Sequence, residues 1–113
     1  MCSRQDLDVI LNEVAKSYRK SYGDNITKIL LYGSYARGDY HDDSDIDIVA
    51  IVKGERLELQ NKLKKIWDVS NDLGLEYEVI VSPTVIPYDE YEEWKEDLTY
   101  YMNIEKEGVV VGG

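Results

Sequence analysis

The sequence predicts an α/β domain in which a small mixed β-sheet is flanked by helices. Three observations carry that expectation. Apolar residues recur every three or four positions in three long segments; short apolar runs at 29–32, 48–52 and 79–81 lie between them; and glycines mark most changes from one pattern to the other. With 113 residues, the chain has the length of a single domain, 1–113, built on one core.

The elements follow in order. Ser3 and Asp6 have the spacing of a helix cap, and Leu7, Ile10, Leu11, Val14 and Tyr18 share a helical face, so a first helix runs to about Tyr22 and stops at Gly23. Asp24 and Asn25 turn the chain into a first strand at 26–32. A short helix begins at Ser34 and ends near Gly38, followed by a polar loop and a second strand at 45–53. After Gly54, a helix at 55–73 carries Leu59, Leu63, Ile66, Trp67 and Leu73 on one face, and Gly74 closes it. A third strand is expected at 75–81, with Pro83 and Pro87 forbidding its extension. A last helix at 89–103 would bury Tyr91, Trp94, Leu98, Tyr101 and Met102, and the tail 109–113 either adds an edge strand or frays.

Composition excludes several classes. Lys and Arg total 13 against 23 Asp and Glu, and a net charge of −10 argues against a broad nucleic-acid-binding face. One cysteine, Cys2, allows no internal disulfide. The N-terminus lacks the basic-then-apolar pattern of a signal, and no apolar run reaches membrane-spanning length, so a cytoplasmic protein is expected.

The stretch from Gly33 to Asp47 carries the chemistry. Residues two apart on a strand point the same way, so Asp45 and Asp47 present two carboxylates on one face, where they repel each other unless a cation neutralises them. Hard oxygen donors of this kind suit Mg²⁺, which leaves coordination positions for water and substrate phosphates. Gly33 permits close approach of backbone to a phosphate, and Ser34 offers a hydroxyl at the start of a helix. His41 reads as a solvated loop residue, and Tyr35 and Tyr40 carry no assigned role.

Gly33-Ser34, ten residues, then Asp45-x-Asp47, with Ala36-Arg37-Gly38 and Ser44 between them, resembles the signature of the DNA polymerase β-like nucleotidyltransferase superfamily, and its short form resembles the minimal nucleotidyltransferases. The resemblance implies nucleotidyl transfer from ATP, with two Mg²⁺ ions clamping the α-phosphate. It implies Asp45 and Asp47 as catalytic metal ligands, and Gly33, Ser34 and Arg37 as nucleotide-binding residues. It also implies a third carboxylate on the neighbouring strand. Alternation cannot choose between Glu76 and Glu78; the resemblance favours Glu78, directly before the run at 79–81, where the family commonly carries Asp. Minimal nucleotidyltransferases are typically paired with a small helical HEPN-domain protein, a toxin with ribonuclease character, and some transfer AMP to a tyrosine on it. The chain is therefore expected to act as an antitoxin-type adenylyltransferase on such a partner, its acceptor held by another chain or by a second copy. Transfer to a small-molecule hydroxyl and non-catalytic masking of a partner are the two other implied functions.

Overall fold

The computed structural model describes residues 3–41 and 44–111. Helix α1 (Arg4–Tyr22) leads through a 3₁₀ turn into β1 (Ile26–Tyr32), followed by α2 (Ser34–Arg37), β2 (Ile46–Val52), α3 (Arg56–Tyr77), β3 (Val81–Pro87), α4 (Tyr88–Trp94), α5 (Thr99–Glu107) and β4 (Val109–Val110). The sheet has the order β3-β2-β1-β4. Strand β1 runs antiparallel to β2 and β4, while β2 and β3 are parallel and are joined by the crossover helix α3.

Both faces of the sheet are covered, which is why its central strand reads as a continuous apolar run. Ile29, Leu31, Ile46, Ile48, Ala50, Val52, Val81 and Val85 pack on one face against Ile10, Val14 and Tyr18 of α1 and Leu59, Leu63 and Ile66 of α3. On the other, Leu30, Val49, Ile51 and Ile86 pack against Tyr91, Tyr101 and Ile104. Strand alternation divides β2 cleanly between these two cores, and it assigns Asp47 to the same face as Val49.

Several expectations hold. Ser3 and Asp6 form a reciprocal capping box, Gly23 ends α1, and the tail adds an edge strand, with Val109 and Val110 beside Leu31 and Leu30 and the Val111 N–H donating to Ile29. Cys2, the loop residues Asp42 and Asp43, and Gly112 and Gly113 lie outside the described residues. No described helix is long and apolar enough to cross a membrane.

The third strand is the main correction. Residues 75–77 belong to α3, which passes through Gly74, and the strand begins only at Val81. Gly74 is not a stop. The chain leaving the helix passes close beside it, since a Cβ there would lie 2.6 Å from the Val79 carbonyl oxygen. Glu78 is the C-cap of α3 in the left-handed conformation, with φ of 55°, and its N–H donates to Gly74.

The prolines are the second correction, because both lie inside β3. The Thr84 N–H points toward β2, where it donates to the inserted Tyr18 hydroxyl, so Pro83 and Pro87 have their imide nitrogens on the outer side of this edge strand. There a missing donor removes no ladder bond. The Tyr18 hydroxyl stands between β2 and β3, 2.8 Å from the Thr84 carbonyl oxygen and 3.2 Å from that of Ile48, so its single proton serves one of them at a time.

The last helix is two. The N–H groups of both Asp97 and Leu98 donate to the Trp94 carbonyl, ending α4, and Leu98 becomes the N-cap of α5. The break turns Trp94, Leu98 and Met102 outward while Tyr91 and Tyr101 stay buried; Trp67 on α3 is also partly exposed, at 39%.

Candidate active site

Strand β1 delivers the chain to Gly33, whose φ of 80° lies in the left-handed region that favours glycine. From there α2 starts at once: the N–H groups of Ala36 and Arg37 both donate to the Gly33 carbonyl, and Ser34 is the first helical residue. The chain returns through a loop clasped at its base, where the His41 N–H donates to the Ser44 hydroxyl and the Ser44 N–H to the His41 carbonyl. Exposed His41 thus contributes backbone rather than its ring. Asp45 follows directly, exposed, and the half-buried Asp47 is the second residue of β2.

Register places the neighbours of Asp47. It stands opposite Tyr32 of β1 on one side and Ser82 of β3 on the other. The Tyr32 ring meets the Tyr100 ring edge to face, centroids 5.7 Å apart at 89°. Gly33 closes the remaining side: a Cβ at that position would sit 2.7 Å from Asp47 Oδ2. Sequence motif and contact therefore coincide, since the glycine and the second acid, joined through α2 and the loop after it, stand against each other.

The electrostatics of the acid pair are unfavourable as they stand. Burial pushes the Asp47 carboxyl above its usual range, and the Asp45 charge pushes it further. Two carboxylates on one strand face, one desolvated and repelled by the other, form a donor set that a hard divalent cation would relieve, and Asp45 and Asp47 fit Mg²⁺ in that sense. A three-acid site is not gathered: among the described residues no three His, Cys, Asp or Glu side chains are grouped to hold a metal. Glu76 lies on α3 and Glu78 caps it, both exposed and off the strand that neighbours the pair. The residue that does stand beside Asp47 on β3 is Ser82.

Arg37 is also placed differently from expectation. Its guanidinium pairs with Asp39 at 3.2 Å and Glu107 at 3.4 Å, and Asp39 chiefly holds its pKa above the usual value. Together with Tyr35, Tyr40 and Leu11, it lines a cavity of about 600 Å³ between α1, α2 and β4 that neither Asp45 nor Asp47 reaches. Tyr35 and Tyr40 stack there, centroids 4.3 Å apart. Of the expected site residues, then, Gly33, Ser34, Asp45 and Asp47 come together, while Arg37 and Glu78 do not join them. Tyr32, Ser82 and Tyr100 were not identified from the sequence; Tyr32 directly before Gly33 was the available signal, whereas the other two depended on the boundaries of β3 and α5.

Comparison with known proteins gives a consistent picture. Residues 11–111 match the family model described as a nucleotidyltransferase domain. Two proteins of Methanocaldococcus jannaschii that carry the provisional name protein adenylyltransferase are similar. One, MJ0604, is 30% identical over 101 residues, covering 89% of this chain and 93% of its own, and the other, MJ0141, is 35% identical over 77 residues, covering 65% and 76%. The fold is similar to that of a chain in a toxin–antitoxin crystal structure with AMP-PNP, with TM-score 0.55 and 19% identity over 91% of this chain and 73% of that one. A mutant of the toxin–antitoxin complex MntA–HpeT gives TM-score 0.54 at 17% identity, with the same coverage.

Proposed function

Since the chain belongs to the nucleotidyltransferase domain family and is a nucleotidyltransferase, we propose that it transfers AMP from ATP to a hydroxyl on a protein partner, a tyrosine of a small helical HEPN-type toxin, and so acts as an antitoxin. The observation that carries this reading is the contact of Gly33 with the Asp47 carboxylate at the mouth of β2, beside Asp45. It joins a backbone turn suited to phosphates with a carboxylate pair suited to a cation. The relatives' names and the toxin–antitoxin setting of the structural neighbours support the choice of acceptor class.

In this reading Asp45 and Asp47 would hold Mg²⁺, which when bound would neutralise charge on the triphosphate and on the departing pyrophosphate. The chain's own residues do the positioning. Gly33 admits the phosphates close to backbone, and Ser34 offers its hydroxyl and the first N–H of α2. Tyr32 and Tyr100 wall the site on one side and Ser82 borders it on the other. The acceptor hydroxyl arrives from outside, over the exposed Asp45.

ATP labelled at the α- or the γ-phosphate tests the reading in the presence of Mg²⁺ and the protein that copurifies with the chain. Label on the copurified protein from α-labelled ATP alone, lost in Asp45→Asn, supports AMP transfer. Transfer of the γ-label would make the protein a kinase, and full neutralisation of the partner by Asp45→Asn and Asp47→Asn would remove catalysis from its mode of action.

A further inference from the structure

The wall of the site contains a hydroxyl that nothing above uses. Of the tyrosines around α4 and α5, Tyr101 donates its hydroxyl hydrogen to Glu90 and Tyr91 is buried. Tyr32 is fixed within β1. Tyr100 differs: it is 44% exposed, it stands in the first turn of α5 directly after the break at 95–98, and its hydroxyl makes no hydrogen bond to a described residue. Its ring edges onto Tyr32, the residue paired with Asp47 across the sheet.

We propose that Tyr100 is an acceptor carried by the enzyme itself, so that the chain transfers AMP from ATP at its Asp45–Asp47 site to its own Tyr100 hydroxyl. The proposal rests on the AMP-transfer reading above and deepens it by naming an acceptor within the chain. The phenolic oxygen attacks the α-phosphorus, a new O–P bond forms, and the bond from that phosphorus to the bridging oxygen of the β-phosphate breaks. Pyrophosphate leaves with the bonding electrons, and the phenolic proton passes to solvent. The product places an AMP group against Asp47, where the next ATP must bind, so the modification limits itself to one group per chain and closes the site.

The test uses the chain alone with Mg²⁺ and α-labelled ATP. Expected is at most one label per chain, mapped to the peptide containing Tyr100, formed at a rate per chain that does not change with protein concentration. The label is expected to be lost in Asp45→Asn and in Tyr100→Phe, and not to arise from γ-labelled ATP. Label on another residue, persistence in Tyr100→Phe, or a rate that rises with protein concentration overturns self-transfer. A parallel arm with excess N-acetyl-tyrosinamide separates the two readings. Label on that probe or on the copurified protein, but not on the chain, overturns the proposal and leaves AMP transfer standing; label on none of the three overturns both.

Discussion

The Cα of Gly33 faces the Asp47 carboxylate so closely that a methyl group there would lie 2.7 Å from Oδ2. That contact makes the first glycine of the motif a fitted part rather than a simple turn. Gly33→Ala is expected to force the carboxylate away and to strain a backbone whose φ is 80°. AMP transfer should fall by about 100-fold, the scale of a displacement near 1 Å in a positioned site. Steady-state kinetics beside a thermal melt checks this, and a loss of stability without a loss of rate would count against it.

Asp47 is expected to oppose folding at neutral pH. Its pKa in the folded chain is raised, so its contribution to stability is present below the unfolded carboxylate value and is lost as pH rises through the folded one. Asp47→Asn should therefore melt higher than the unmodified protein at pH 7, by on the order of a few degrees, with the gap closing as pH falls through the carboxylate range. Millimolar Mg²⁺ should raise the melting temperature of the unmodified protein and barely affect that of Asp47→Asn. Scanning calorimetry at several pH values reads both effects.

Tyr18→Phe tests the hydroxyl set between β2 and β3. Removing it leaves the Thr84 N–H and a strand carbonyl without their partner in the interior. The expected loss is about 1–3 kcal/mol, measured by urea unfolding. The buried phenol has its pKa pushed well up, chiefly by desolvation, so no compensating ionisation intervenes below strongly alkaline pH.

Glu78→Gly separates a cap from a ligand. At φ of 55° a glycine relieves left-handed strain, so the variant should be more stable by about 0.5–1 kcal/mol. With Glu78 capping α3 away from the acid pair, the variant should also retain AMP transfer. A collapse in Mg²⁺ affinity would restore Glu78 as a third ligand.

The site and the fold differed in how far they could be read from the sequence. Gly33, Ser34, Asp45 and Asp47 were legible because strand alternation and one short connection fix their relation. Glu78 falls at the end of α3 rather than on the third strand because Pro83 and Pro87, which look like terminators, lie within β3, and only the position of β3 at the sheet edge shows that their missing donors face outward. Gly74 looks like a stop, and its true constraint is a close crossing by Val79 that no local pattern announces. Arg37 belongs to a sequence motif but pairs with Glu107, a residue brought near only by the return of β4. Tyr100 depended on the break before α5, where two N–H groups share one carbonyl.

The two borders of the sheet have unequal capacity to recruit another chain. On β3, Pro83 and Pro87 withdraw donors from the outer row, so an incoming strand finds little to bind. The opposite border is β4, only two residues long. Around a centre rich in Ile, Val and Ala, both edges thus offer a poor template for strand addition, and replacing both prolines with valine should increase aggregation of the chain at high concentration.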